Sequence, residues 1–207
     1  MMTPPPSNKG QKFPAEPLTR DEVLRLLGAA SNRSTSGIRM RAHIAVLFGA
    51  GLRLQESLDL EPRDLDTEAQ TVRVREGKGR RARLVGIDTY SCALIDRWMD
   101  RRRKLGLGPR HRVFCTYSAG NFGQPLQQRY VRLALKRLGE RAEITKRVHP
   151  HGLRHSLASD MADSGASVSE IQRQLGHSSL ATTDRYVHAL RPMELIEHMR
   201  QRDWATG

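Results

Sequence analysis

Between Thr71 and Ile87 the hydrophobic repeat of this chain switches from the period of a helix to that of a strand. Thr71-Val72-Arg73-Val74-Arg75 alternates, Glu76-Gly77-Lys78-Gly79 supplies turn residues, and Ala82 to Ile87 reads as a returning strand. A hairpin with Lys78 near its tip follows. Helical patterns lie on both sides of it. The expected class is therefore α+β, mostly helical with one small antiparallel β-sheet.

The helices announce themselves by their caps. Thr19 with Glu22 three residues later is a capping box, and Val23, Leu24, Leu26 and Leu27 follow at helical spacing. Further helices are expected over Ser36–Ala50, stopping at Gly51, and over Arg53–Leu58, Thr89–Lys104, Leu126–Arg141, His151–Asp163, Ser167–Leu175, Ala181–His188 and Met193–Gln201. Ser167 and Glu170 form a second capping box, and Val113-Phe114-Cys115 is a short strand candidate. Residues 1–17 hold five of the ten prolines and no apolar periodicity, so they read as an extended tail or linker ahead of a folded unit over 18–207.

Apolar residues make up 38% of the chain, enough for a core, whereas aromatics at 5% leave little for stacking on single strands. No apolar run approaches the ~18 residues of a membrane span, and Met1–Pro6 has no apolar export signal, so the expectation is a cytoplasmic protein away from membranes. Cys92 and Cys115 make neither a disulfide framework nor a zinc ribbon. The formal net charge of +13 favours a polyanion, with nucleic acid first.

No phosphate-binding GxxxxGK[ST] loop, HExxH or CxxC occurs, and no acidic cluster suggests two metals, so no cofactor or metal is called for. A chain acting on phosphates would then neutralise them with its own cations. His151-Gly152-Leu153-Arg154 sets a proton-transfer group and a phosphate clamp on one helix face, although an isolated HxxR is ordinarily a solvated His beside a structural Arg. Arg53 follows a helix-ending Gly51, and Glu56 is placed for an i,i+3 ion pair. Of 35 basic residues only six are Lys, and Lys78 stands alone between Lys12 and Lys104. Arg keeps its proton at any usable pH and Lys can release one, so a Lys retained amid Arg80, Arg81 and Arg83 suits a general acid. His177 follows a capped helix, and Tyr186 is either a packing residue or the end of a helix-turn-helix over Ser167–Tyr186.

Taken in order, Gly51-Leu52-Arg53 with Glu56, the Gly77-Lys78-Gly79 hairpin, His151-x-x-Arg154-His155, Leu175-Gly176-His177 and Tyr186 resemble the catalytic domain of the tyrosine recombinases, the phage integrase family. The resemblance spans roughly Leu18 to Arg191. Ser57 departs from it, since the family usually has Leu after the Glu, at a packing position. The helical core-binding domain common in the family is not expected in this sequence, which places only 17 irregular residues before the first helix.

The resemblance implies that Arg53, Lys78, His151, Arg154 and His177 surround a scissile phosphate and that Tyr186 is the nucleophile. The product is a 3′-phosphotyrosyl link and a free 5′-hydroxyl, formed without metal or ATP. It also implies duplex DNA with inverted-repeat sites as partner, and a protein that is monomeric when free and tetrameric on DNA. Leu195, Ile196 and Met199 would give an apolar edge for a neighbouring subunit. Arg80-Arg81, Arg101 to Lys104 and Arg129 with Arg132 are expected to meet the DNA backbone or water. A type IB topoisomerase-like enzyme or a telomere resolvase would share the chemistry. A helix-turn-helix protein without catalysis would need only Ser167–Tyr186, and a metal site at His149, His151 and His155 lacks a carboxylate or Cys partner.

Overall fold

A computed structural model describes residues 16–75 and 82–176 of the chain. In chain order these are α1 (Arg20–Ala29), α2 (Thr35–Phe48), α3 (Leu54–Leu58), a 3-10 turn at Pro62–Asp64, β1 (Leu65–Asp66), β2 (Thr71–Val74), β3 (Arg83–Gly86), α4 (Thr89–Lys104), a 3-10 turn at Ala119–Asn121, α5 (Gln128–Arg141), α6 (Pro150–Asp163) and α7 (Val168–Leu175). The expected class holds: helices surround one three-stranded antiparallel sheet of order β1-β2-β3. Val72 faces Val85 across the hairpin, and Val74 faces Arg83. Val72, Val74 and Val85 point into the core while Arg73 and Leu84 point out, which is the alternation the period of two requires.

The centre of the fold is α2. Ile38, Met40, Ala42, Ile44, Ala45, Val46 and Leu47 are all buried, as are the polar Arg39 and His43, so this helix is enclosed on nearly every side and packs on both α4 and α6. Ser34 caps it through Gly37 N–H, so the helix begins at Thr35, one residue before the expected start. Trp98 of α4 fills the space beside it and donates Nε1–H to the Val113 carbonyl at 2.8 Å. A second cluster of Leu157, Ala158, Ala162, Ile171 and Leu175 joins α6 to α7.

Both capping boxes form as the sequence predicts. Thr19 pairs with Glu22 at α1, and Ser167 pairs with Glu170 at α7. Three expectations change. The Val113-Phe114-Cys115 segment makes only a single bridge, Cys115 to Pro125: residues 124–126 run antiparallel beside it, with Leu126 N–H on the Phe114 carbonyl and Thr116 N–H on the Gln124 carbonyl, but Pro125 has no N–H with which to extend a ladder. α5 begins at Gln128, since Leu126 turns inward instead of extending the helix. β1 was not foreseen, as two residues carry no period. The helices expected over Ala181–His188 and Met193–Gln201, with the apolar edge of Leu195, Ile196 and Met199, lie outside the described residues.

Several arginines work as internal staples. Arg102, only 2% exposed, donates to the carbonyls of Leu107, Gly108, His111 and Arg112 and so folds the loop after α4 onto the helix end. Arg101 reaches Thr35 and the Arg33 carbonyl. The basic run Arg101 to Lys104 is thus split, and Arg102 is a structural cation, not a DNA contact. Arg39, buried in α2, donates to the Cys115 carbonyl at 2.6 Å and lies between the rings of Tyr117 and Tyr130.

Ser57, the departure from the family pattern, has a local cause. It is fully buried, gives its hydroxyl proton to the Leu54 carbonyl at 2.7 Å, and receives Nε2–H from His43 at 2.8 Å. His43 stacks on Phe114 with centroids 4.2 Å apart. Burial, helped by the nearby Arg39 charge, lowers His43 to about 3, so the ring is neutral and needs an acceptor that Leu would not provide.

Candidate active site

Three of the six candidate residues converge where α7 ends. Arg53 sits at the N-cap of α3, immediately after Gly51-Leu52. Its guanidinium donates to Glu56 Oε1 at 2.8 Å and to the Gly176 carbonyl at 3.1 Å. Arg154 lies within α6, 3% exposed, and donates to the carbonyls of Gly51 and Leu175. Two guanidiniums therefore rest on consecutive carbonyls at the C-terminus of α7, where unpaired carbonyls and the negative end of the helix dipole favour cations. His151 is on the exposed face of α6. Its surroundings of packed protein, and then the Arg154 and Arg53 charges, lower its pKa. The imidazole is thereby kept neutral beside two fixed cations, a state in which it can accept a proton.

Two glycines make this approach possible. Gly51 has φ +66°, and a Cβ there would sit 2.6 Å from Leu157 and 2.8 Å from Leu175. Gly176 closes α7 in the left-handed region at φ +62°, and its Cβ would strike Arg83 Nε at 2.5 Å. Gly176 directly precedes His177 in the chain. Lys78, His177 and Tyr186 lie outside the described residues.

Glu56 organises the cationic side, and here the sequence shows only half the picture. The expected i,i+3 pair with Arg53 is present, and Glu56 Oε2 also accepts the Arg53 backbone N–H at 2.9 Å. A second arginine, Arg83 of β3, grips the same carboxylate with both ends of its fork, at 3.1 and 2.9 Å. Burial alone would raise the Glu56 pKa; the hydrogen bonds and charge of Arg83 and Arg53 overcome this and hold it at about 2. Arg83 carries no motif and lies 27 residues away, so only the pairing of β3 against α3 brings it in. Gln174 of α7 completes the seam, bonding the Gly86 N–H and carbonyl and the Ala50 carbonyl.

His149 is the N-cap of α6, its Nδ1 accepting Gly152 N–H at 3.1 Å. Its ring centroid is 6.5 Å from that of His151, so the three histidines do not converge, and among the described residues no cluster of three or more metal-ligating side chains occurs. In the helix-turn-helix alternative α7 would be the first helix, and the stretch that would carry the recognition helix, up to Tyr186, lies outside the described residues. α5 and the following loop line a groove with Arg129, Arg132, Lys136, Lys146 and Arg147, and His149 borders it. Among the described residues no helix is long and apolar enough to cross a membrane.

An arginine pair anchored on carbonyls beside a neutral histidine, carried by helices around a small sheet, defines a catalytic domain of tyrosine recombinase type. Residues 16–192 match the phage integrase family, and the chain belongs to it. It is 38% identical over 171 residues to tyrosine recombinase XerC of Xanthomonas axonopodis pv. citri (strain 306), a match that covers 83% of this chain and 53% of that protein. The crystal structure of XerA recombinase superposes with a TM-score of 0.77 at 29% identity, covering 95% of this chain and 68% of the other. The XerH site-specific recombinase bound to palindromic difH substrate, in its post-cleavage complex, gives a TM-score of 0.73 at 25% identity, over 90% of this chain and 53% of XerH. The chain spans about half the length of the XerC relatives it matches.

Proposed function

We propose that this chain is the catalytic part of a site-specific DNA recombinase, with residues 18–207 as the catalytic domain and 1–17 as an extended segment ahead of it. The observation that carries the reading is the assembly of Arg53, Arg154 and His151 at the end of α7, one residue ahead of His177. Tyr186 attacks a DNA phosphodiester in line: the Tyr oxygen–phosphorus bond forms and the bond to the 5′-oxygen breaks, leaving a 3′-phosphotyrosyl link. A phenol near pKa 10 needs a base, and His151 takes its proton, returning it at resealing. Arg53 and Arg154 hold non-bridging oxygens, His177 adds a hydrogen bond, and Lys78 protonates the leaving 5′-oxygen. One phosphodiester replaces another, so the reaction needs neither ATP nor a metal.

The partner in this reading is duplex DNA with inverted-repeat sites, bound in the cytoplasm by four copies of a protein that is monomeric when free. XerH on its palindromic substrate supports the DNA partner by relationship. The test is a nicked suicide duplex carrying candidate repeats. The wild type should leave a covalent protein–DNA band on a denaturing gel, and Tyr186→Phe should bind the duplex without leaving one. A band from Tyr186→Phe overturns the nucleophile. Joining of strands from two different duplexes separates recombination from topoisomerase-like relaxation.

A further inference from the structure

The residue after Arg154 is also a histidine, and nothing above gives it work. α6 sets His151 and His155 one turn apart, with their Nε2 atoms 2.7 Å from each other and their rings crossed at 76°. A neutral imidazole has one donor and one acceptor nitrogen. Two Nε2 atoms at this distance therefore hold one proton between them, because two would set N–H against N–H. His149 is not part of the pair, since its Nδ1 is spent on the helix cap.

The polarity of the bond follows from the chemistry. An imidazolium donates from both nitrogens, so a His151 that has accepted a proton leaves His155 Nε2 only the role of acceptor. His155 then carries its own proton on Nδ1, and Nδ1 of His151 is the nitrogen that exchanges with the reacting groups. We propose that His155 is a positioning residue for His151: it accepts the Nε2–H of that ring, fixes its tautomer, and steadies the imidazolium formed during cleavage. This rests on the reading of His151 as the base. The proton balance is simple: the phenol proton moves to Nδ1 of His151, the Nε2–H stays in its bond to His155, and resealing reverses both.

The arrangement answers an electrostatic difficulty. Among the described residues the groups facing His151 are Arg154 from its own helix, Arg53 from α3, and His149 at the helix cap, none of them anionic. A base among cations is weak unless its protonated form finds an acceptor, and the imidazole of His155 supplies one as the orienting member of a triad does.

Two variants test the proposal, His155→Ala and His155→Gln, whose amide oxygen stands near the position of Nε2. Nitrogen NMR of the free full-length chain should show His151 protonated on Nε2 and bare on Nδ1. His155→Ala should blur this into a tautomer mixture, and His155→Gln should restore it. In single-turnover cleavage the rate rises with pH as His151 loses its proton. That limb should move to lower pH in His155→Ala, with a plateau about tenfold or more down. His155→Gln should recover most of both, and DNA affinity should stay unchanged throughout. The proposal is overturned by a His151 protonated on Nδ1, by an unmoved limb in His155→Ala, or by a Gln variant no better than Ala. Absence of a covalent adduct from the wild type is instead a failure of the recombinase reading, and the NMR tautomer still decides the pair.

Discussion

Replacing Glu56 by Gln should cost the fold about 3 kcal/mol at neutral pH and nothing in strong acid. The carboxylate is 9% exposed and, among the described residues, accepts two hydrogen bonds from Arg83, one from the Arg53 guanidinium and one from the Arg53 backbone N–H. It is held at about 2 against an ordinary 4.5, and at ~1.4 kcal/mol per pH unit this difference is ~3 kcal/mol favouring the ionised form in the fold. Because the folded pKa is the lower one, that stability is whole above about 4.5 and drains away as pH falls toward 2. Gln keeps one acceptor oxygen and turns the other into a donor facing Arg83 and the Arg53 N–H, which leaves two guanidiniums without their counter-charge. Urea unfolding of both proteins, followed by circular dichroism from neutral pH down to about 3, isolates the effect. Glu22, Glu61 and His43 also titrate there but are common to both chains. The gap between the two curves should close as the pH falls. A gap under ~1 kcal/mol at neutral pH, or one that acid leaves intact, would refute Glu56 as the common anchor.

Ser57→Ala orphans the Nε2–H of a fully buried His43 and should lower stability by about 2 kcal/mol, a Tm loss of ~4–8 °C by calorimetry. Adding His43→Leu should return part of that loss, because both polar partners then leave together. Gly51→Ala forces a side chain into a left-handed φ against Leu157 and Leu175, and should cost ~2–4 kcal/mol. It should also depress cleavage more than DNA binding, since the Gly51 carbonyl anchors Arg154. Lys78→Ala should cleave poorly on ordinary DNA and recover on a 5′-bridging phosphorothiolate, whose leaving group needs no proton; without recovery Lys78 is not the acid.

The sequence made the elements and the motif residues readable because both depend on near neighbours. The two capping boxes, the alternation along each strand that buries Val72, Val74 and Val85, and the Arg53–Glu56 pair all depend on residues two or three apart. What stayed hidden depends on tertiary contact. Arg83 joins Glu56 across 27 residues, and His43 explains Ser57 only because α2 lies against α3. Arg102 sat within a basic run that reads as surface, yet four carbonyls of the following loop enclose it. An amphipathic pattern was also a poor guide to α2, whose burial on nearly every side removes the polar stripe.

The carbonyl staples made by Arg39, Arg102 and Arg154 bear on ionic strength. A chain of formal net charge +13 repels itself, and added salt relieves that repulsion over a Debye length of ~10 Å at 0.1 M. The staples are short, dry contacts between a charge and a dipole, so mobile ions hardly reach them. Contacts to DNA phosphates behave oppositely, each weakening binding with a slope of ~0.9 in the logarithm of salt. On the proposed recombinase reading, stability and DNA affinity should therefore part company as salt rises, and the buffer in which this domain is sturdiest is the one that weakens its hold on DNA.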